Sequence, residues 1–227
     1  MKKLCILFIV FACILSLPAF ADDALTVSEK TWIELDGEWN SWNGYFFAKV
    51  QNDGNEAINL GSGKLVGFSE NDDIILSENY VSSYPSRITL QPGEYVYYRE
   101  YVFNDSLETN DVADIRFSVE TASSAESVST IPCEVTYEIN DSYDSYVYVT
   151  FSNESDDILY DTFITIALYD TDGNLMFVDG DSISALGVHP NSTVTIKASI
   201  DGDLVDYYAE NEIEISSADA FVYQAQE

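Results

Sequence analysis

The sequence has 227 residues, of which 40 are acidic and nine are basic, so its formal net charge is −31. A field of this sign repels phosphate backbones and anionic membranes, which excludes nucleic acid as an expected partner and favours divalent cations or basic partners. Aromatic residues make up 14% of the chain, a density that excludes a disordered chain and predicts a folded one.

The N-terminus predicts an exported protein. Two lysines precede an apolar run, and a small-x-small cleavage site follows at residues 19–21. We expect residues 1–21 to be a signal peptide that is removed, so that the protein acts at the bacterial cell envelope or outside the cell. The alternative is a lipoprotein anchored at Cys13, which we favour less because the apolar run continues past that cysteine. No later apolar run reaches the roughly 20 residues of a membrane-spanning helix, so we expect no membrane span in the mature chain.

Period-two alternation of apolar and polar residues predicts β-strands along the rest of the chain. Clear examples are residues 45–50, 93–98, 193–198 and 212–215, which are rich in Tyr, Val, Thr and Ile. Another predicted strand carries Cys133 on its apolar face. Because the other two cysteines leave with the signal peptide, we expect no disulfide and a buried structural thiol at this position.

An internal repeat divides the mature sequence into two parts. Shifted by 101 residues, segment 45–75 lies on segment 146–176 without a gap, and the offset becomes 98 further on. Apolar positions fall on apolar positions, as they must if each strand keeps its inward face. We therefore predict an all-β protein with two tandem immunoglobulin-like β-sandwich domains, at 25–121 and 131–224, joined by a small polar linker at 122–130.

The central part of the second predicted domain carries a family resemblance. A strand ending in Leu168, Tyr169 and Asp170 is followed by an Asp-Gly turn at 172–173. This stretch resembles the central hairpin of the secreted bacterial immunoglobulin-like domains named for an F-x-L-Y-D signature, with Ile166 where the signature has Phe. The resemblance is weaker in the first domain. It implies an immunoglobulin-like fold and an envelope or extracellular setting, and it implies no catalytic residues.

Acidic loops are the candidates for calcium. The stretch that begins at Asp170 does not fit a helix-flanked calcium loop, because Gly falls at its fourth position and Asp at its twelfth. Its Asp-Gly pair instead predicts a hairpin turn. One loose surface calcium site is left open by the sequence, and no other cofactor is expected. Its candidate ligands are the oxygen-bearing side chains of Asn153, Glu154, Asp156 and Asp157.

The tryptophans are the candidate recognition residues. Trp32, Trp39 and Trp42 are the only ones in the chain, and Tyr45 follows closely. Rings lined up on an exposed face would bind carbohydrate or a partner protein, since large aromatics supply much of the binding energy of recognition surfaces. For Trp32 and Trp39 we favour the alternative that they fill the core of the first domain. Trp42 lies in a turn-like stretch, and we expect its ring to be exposed.

These features favour a non-enzymatic binding or interaction module whose partner, an envelope polymer or a protein, the sequence does not identify. The alternative is a carbohydrate-binding protein that uses the aromatic cluster from Trp32 to Tyr45. A small carboxylate-dependent hydrolase is favoured less, although paired carboxylates serve glycoside hydrolases and Glu100 falls at an inward-facing strand position. His189 is the only histidine, so we expect neither a serine triad nor an imidazole metal centre.

Overall fold

The computed structural model of the chain describes residues 24–36, 42–86, 88–104, 111–125, 128–183 and 187–225. Among these residues it contains fourteen β-strands and one short α-helix, and the strands pair antiparallel, so the prediction of an all-β protein is confirmed. The predicted signal peptide, residues 1–21, lies outside the described residues, and so does Cys13. Within the described part of the chain, no helix is both long and apolar enough to cross a membrane.

The elements fall into two halves in chain order. The N-terminal half contains β1 (Leu25–Asp36), β2 (Trp42–Asn52), β3 (Ile58–Phe68), β4 (Ile74–Ser83), β5 (Thr89–Leu90), β6 (Tyr95–Asn104) and β7 (Asp114–Thr121). The C-terminal half contains β8 (Val128–Ile131), β9 (Cys133–Glu138), β10 (Tyr146–Ser152), β11 (Thr162–Asp170), β12 (Leu175–Ile183), β13 (Thr193–Ser199), α1 (Gly202–Glu210) and β14 (Ile215–Ala225).

Two of these elements lie where the sequence analysis expected none. Strand β8 begins at Val128, inside the segment predicted as a linker, and pairs with β14. Helix α1 begins after Asp201, whose carboxylate accepts a hydrogen bond from the backbone N–H of Asp203 at 3.0 Å and so caps the helix. The helix buries Leu204, Val205 and Tyr208. Three apolar residues in one short helix are too few for their spacing to be recognised as helical in the sequence.

The strands of the N-terminal half enclose an apolar core. Their sheet has the order β1-β2-β6-β4-β3-β5, with β7 also paired to β3. The pairing of β4 with β6 covers only Ser82 with Arg99 and Ser83 with Tyr98. Away from this short pairing of β4 with β6, side chains from β2 and β6 pack against side chains from β3, β4 and β7 in one apolar cluster. The arrangement is sandwich-like, because strands of the same half bury their side chains against each other.

The C-terminal half has two separate sheets, with the orders β13-β10-β9 and β12-β11-β14-β8. Val147, Val149 and Phe151 of β10 belong to the same buried cluster as Ile164 and Ile166 of β11. Strand β10 alternates between buried and half-buried residues along its length. One of its faces therefore packs in the core, and the other faces solvent.

The two halves also pack against each other, which the sequence analysis did not predict. Strand β2 is buried on both faces. Phe46 packs in the core of the N-terminal half, whereas its neighbour Phe47 packs in the cluster that contains the core of the C-terminal half. In the same way, Tyr98 of β6 belongs to the first cluster and Tyr97 to the second. The outer face of β1, β2 and β6 is thus covered by the C-terminal half.

The hairpin between β11 and β12 has the Asp-Gly turn that the sequence predicts. Asp170 closes it, because its Oδ1 accepts hydrogen bonds from the backbone N–H groups of Asp172 at 2.9 Å and Asn174 at 2.8 Å. Gly173 has a φ of 83°, in the left-handed region that glycine adopts without strain. The Asp170 carboxylate therefore organises a turn, as expected from the failed match to a calcium loop.

Cys133 lies on the inward side of β9, as the alternation predicts, but it is only half-buried. Its Sγ lies 3.4 Å from the carbonyl oxygen of Ala220, and its side chain packs against the apolar cluster of the C-terminal half. Burial raises the pKa of this thiol, and the carboxylate of Asp219 adds to the shift. The protonated thiol is therefore favoured over the thiolate.

Candidate functional site

A cleft of about 660 Å³ opens between the two halves. Strands β2, β4 and β6 form one wall, and β12 together with the corner between β13 and α1 forms the other. Its volume lies within the range of about 300–1,000 Å³ that is usual for ligand sites, and junctions between structural units are where such sites commonly lie. Seven aromatic residues line it: Tyr45, Phe47, Tyr80, Tyr84, Tyr97, Tyr101 and Phe177.

A continuous row of aromatic rings leads from the protein interior to the mouth of the cleft. The ring centroids of Phe177 and Phe47 are 6.1 Å apart, those of Phe47 and Tyr45 are 6.5 Å apart, and those of Tyr45 and Tyr101 are 5.1 Å apart. The first three side chains are at most 5% exposed, whereas Tyr101 is 51% exposed. The exposed ring of Tyr101 is therefore held in place by contact with the buried rings of the interface.

Tyr80 is the most exposed aromatic residue of the cleft. It lies on β4, and its side chain is 80% exposed. The mouth of the cleft thus carries two large exposed rings, Tyr80 and Tyr101. Single exposed aromatic residues are common, but two that line one cleft mark a recognition surface.

An ion pair crosses the cleft and joins the two halves. The Arg99 guanidinium of β6 lies 2.6 Å from Oδ1 of Asp179 on β12, and the same oxygen accepts a hydrogen bond from the backbone N–H of Gly180 at 2.6 Å. Burial raises the pKa of Asp179, and the charge of Arg99 opposes this shift. Burial also raises the pKa of Glu100, helped by the nearby Glu78.

Two carboxylates at the start of α1 give the cleft a negative potential. The Tyr45 hydroxyl donates a hydrogen bond to Oδ2 of Asp201 at 3.1 Å. Burial raises the pKa of Tyr45 well above its ordinary value, and the charges of Asp201 and Asp203 add to the effect. The pKa of Tyr101 is raised by burial and by the same two carboxylates. A negative charge on either phenol is disfavoured because these carboxylates already occupy this side of the cleft.

A buried network of tyrosines holds the halves together behind the cleft. The hydroxyls of Tyr95 and Tyr97 on β6 both donate to Oδ2 of Asp219 on β14, at 2.8 and 2.7 Å. The Tyr97 hydroxyl also lies 2.8 Å from that of Tyr169 on β11. Since Tyr97 is only 1% exposed and also lines the cleft, this network fixes the position of one cleft wall relative to the other.

The expectation that Trp42 is exposed is wrong. Its side chain is 1% exposed, because it belongs to the start of β2 rather than to a turn and packs in the core of the N-terminal half. Its ring centroid lies 5.6 Å from that of Trp32, which is half-buried and donates from Nε1 to Glu34 Oε1 at 2.8 Å. Trp39 lies outside the described residues. Of the three predicted recognition residues that the structure describes, Tyr45 is the one that lines the cleft.

In the candidate calcium loop, the side chain of Asn153 is buried and makes its hydrogen bonds within the protein. Asn153 is 1% exposed; its Nδ2 donates to the backbone oxygens of Asp157 and Val188, both at 2.8 Å, and its Oδ1 accepts from the backbone N–H of Ser155 at 3.0 Å. The side chains of Glu154, Asp156 and Asp157 are exposed. Across the described residues, no group of three or more His, Cys, Asp or Glu side chains is arranged to hold a metal ion.

The N-terminal half contains a matching asparagine. Asn52, which is 101 residues earlier, donates from Nδ2 to the backbone oxygens of Glu56 at 2.8 Å and Leu90 at 2.9 Å. Its Oδ1 accepts from the backbone N–H of Gly54 at 3.0 Å. Two of these contacts have the same sequence spacing in both halves, and the third spans 38 residues from Asn52 and 35 from Asn153. The amide is therefore a structural element of both loops.

The sequence analysis missed Tyr80, Tyr101, Asp179 and Asp201, because the packing of the halves brings them together and no local pattern does. One signal of this packing is present in the sequence. Residues 45–48 read Tyr-Phe-Phe-Ala without a polar residue, and a strand that is apolar on both faces is expected to be covered on both faces.

No protein-family model matches this sequence, and no protein of curated function matches it either.

Proposed function

We propose that this protein is a non-enzymatic binding module that is exported and holds a partner in the cleft, at the bacterial cell envelope or outside the cell. The observation that carries the proposal is the pair of exposed rings, Tyr80 and Tyr101, at the mouth of a cleft with a supported aromatic floor. Binding energy concentrates in such rings, because they bury a large apolar area at a low entropic cost.

We also propose that the module consists of two tandem immunoglobulin-like domains, at 25–121 and 131–224, related to the F-x-L-Y-D domains. Matched loops support this proposal, since Asn52 and Asn153 make the same three contacts. Removal of residues 1–21 is the export step of the proposal. Sequencing the N-terminus of the protein recovered outside the cytoplasm tests it, and a chain that begins at Met1 contradicts it.

The cleft carboxylates favour binding over catalysis. Asp179 is engaged by Arg99, and Asp201 caps α1 and accepts a hydrogen bond from Tyr45. Each of these acids therefore has a structural role, whereas a carboxylate pair in a hydrolase needs an acid and a base that face the substrate. The burial of Trp42 removes one ring from the predicted carbohydrate-binding cluster, so a sugar would have to bind through the tyrosines of the cleft.

Methyl NMR of the purified protein tests the proposal, because Val178, Ile200 and Leu204 line the cleft and carry methyl groups. We expect a saturable change in their signals when a binding partner is added from a panel of soluble glycans and of basic, neutral and acidic peptides. Tyr80→Ala should weaken the response. Tyr143→Ala is the matched control, since Tyr143 is 92% exposed and does not line the cleft.

Three results would contradict the proposal. The cleft methyl signals could stay unchanged with every member of the panel, or the response could be equally weakened by Tyr80→Ala and Tyr143→Ala. Mass spectrometry could also show that the bound compound is chemically altered at a rate that depends on the protein, which would make it an enzyme.

A further inference from the structure

We infer that the partner is a basic segment of a polypeptide, which places a lysine or arginine side chain against the exposed rings of Tyr80 and Tyr101. This inference rests on the proposed binding function of the cleft and specifies the chemistry of its ligand. Three independent observations lead to it: the charge of the cleft, the use of aromatic rings elsewhere in the protein, and the strands that border the cleft.

The cleft is negatively charged. Asp179 and Asp201 line it, and Arg99 is the one basic residue among the described residues that do so. Glu100 pairs with Phe46, so its side chain lies on the other face of β6. The charge of Arg99 is already committed to Asp179 at 2.6 Å. Asp203 adds a further carboxylate close enough to act on both Tyr45 and Tyr101. A cationic group is the complementary ligand, and the net charge of −31 would attract it from a distance.

The protein repeatedly places its own cations on aromatic rings. Lys197 Nζ lies 3.3 Å from the ring centroid of Tyr146, and Lys49 Nζ lies 4.1 Å from that of Tyr95. The guanidinium carbon of Arg116 lies 4.2 Å from the ring centroid of Phe68. Three of the nine basic residues in the chain make such contacts, and Lys49 and Arg116 also pair with carboxylates. Tyr80, which is 80% exposed, offers the same kind of surface to a cation from outside.

Two edge strands border the cleft, which favours a polypeptide over a small cation. Strand β12 ends the sheet β12-β11-β14-β8, and β13 ends the sheet β13-β10-β9. Phe177, Val178 and Asp179 of β12 and Ser199 of β13 line the cleft. An extended segment can pair its backbone with such an edge while its side chains enter the adjacent cleft. The rings and carboxylates would then select alternate basic residues of the segment.

Titration of the purified protein with synthetic peptides tests the inference. The probe is an alternating lysine–valine peptide, and the controls replace each lysine by glutamine or by glutamate. We expect the lysine peptide to bind and the glutamate peptide not to bind, with the dissociation constant rising as salt is added. Tyr80→Ala should weaken binding about fivefold, the loss expected for one exposed cation–π contact, whereas Tyr80→Phe should retain it. Tyr143→Ala should bind as the unchanged protein does.

The possible failures are distinguishable. If the lysine peptide binds equally well to Tyr80→Ala, Tyr80→Phe and the unchanged protein, the attraction is one of net charge alone and the inference is wrong. If the glutamine peptide or a neutral glycan binds in a Tyr80-dependent way and the lysine peptide does not, the cleft is a binding site but its ligand is not cationic. If no probe changes the methyl signals of Val178 and Leu204, both the inference and the proposed function fail.

Discussion

The hydroxyl of Tyr97 provides the sharpest test of the contact between the two halves. Tyr97 and Tyr98 are neighbours on β6, they are at most 1% exposed, and their side chains point to opposite faces of the strand. Tyr97→Phe removes a hydroxyl that donates to Asp219 and accepts from the Tyr169 hydroxyl, both in the other half. Tyr98→Phe removes one that donates to the backbone oxygen of Gly61 at 2.9 Å. Both substitutions remove one hydroxyl oxygen, but Tyr97→Phe loses hydrogen bonds to the other half and Tyr98→Phe loses one within its own half.

The expected magnitudes follow from the acceptors. A hydrogen bond to a charged group contributes about 1.5–3 kcal/mol and one between neutral groups about 0.5–1.5 kcal/mol. Asp219 keeps a hydrogen bond from Tyr95 at 2.8 Å after the substitution, which offsets part of the loss. We therefore expect Tyr97→Phe to lower the free energy of unfolding by about 2 kcal/mol and Tyr98→Phe by about 1 kcal/mol.

Urea denaturation followed by tryptophan fluorescence and by circular dichroism measures both values. In a double-mutant cycle, Tyr97→Phe and Asp219→Asn should show a coupling of about 1 kcal/mol, because they share one hydrogen bond. The halves should also unfold in a single transition, since they share an apolar cluster. If Tyr97→Phe costs no more than Tyr98→Phe, or if the halves unfold separately, the halves do not pack as described.

Three further predictions concern turns, close packing and alkaline stability. Asp72 has a φ of 62° at the turn position that Gly173 occupies 101 residues later. Asp72→Gly should therefore raise the free energy of unfolding by about 0.5 kcal/mol, and Gly173→Ala should lower it by about 1 kcal/mol. Equal effects of the two substitutions in urea denaturation would refute the argument from backbone strain. Gly180→Ala should lower the free energy of unfolding by about 1–3 kcal/mol in the same assay, because a Cβ atom there would lie 2.5 Å from the ring of Tyr84 on the other half. An unchanged denaturation midpoint would show that the Tyr84 ring moves aside freely. Burial and a neighbouring carboxylate raise the pKa of Tyr95 to about 12, so the stability that its neutral form contributes is fully present below about pH 10 and is lost as the pH rises through about 12. Phenolate absorbance and circular dichroism should change together in that pH range. Full ionisation of Tyr95 without unfolding would contradict its burial.

Local sequence patterns predicted the parts of the fold that local interactions determine. The Asp-Gly turn after Asp170 and the inward side of Cys133 follow from residues within a few positions of each other. Trp42 was misplaced for the complementary reason. Its small polar neighbours resemble a turn, but its ring is held by Trp32, ten residues earlier on the paired strand β1. At Trp42, packing against residues distant in the sequence therefore determines burial, although the neighbouring residues are typical of a turn.

The cleft could not be predicted from either half alone. Its two walls come from β4 and β6 on one side and from β12 and α1 on the other, and the repeat gives no indication that the halves touch. The signal that does exist is a difference between the copies. Strand β2 is buried on both faces, whereas β10, which aligns with it at the offset of 101, alternates between buried and half-buried residues. Where the alternation of apolar and polar residues is lost in one copy of a repeated strand only, both faces of the strand are expected to be buried in that copy only.

The same difference explains why the C-terminal half packs on this face of the N-terminal half. At the offset of 98, Tyr95 and Tyr97 of β6 align with Thr193 and Thr195 of β13. The tyrosines lie under the C-terminal half, but both threonines are exposed and hydrogen-bond across the sheet to side chains of β10, at 2.7 and 2.8 Å. A face of paired hydroxyls is already satisfied and buries little apolar area, so it does not favour the stacking of a further unit. Aromatic residues in one copy therefore create the interface, and Tyr101, at the end of the same strand face, is left at the edge of the interface as part of the recognition surface.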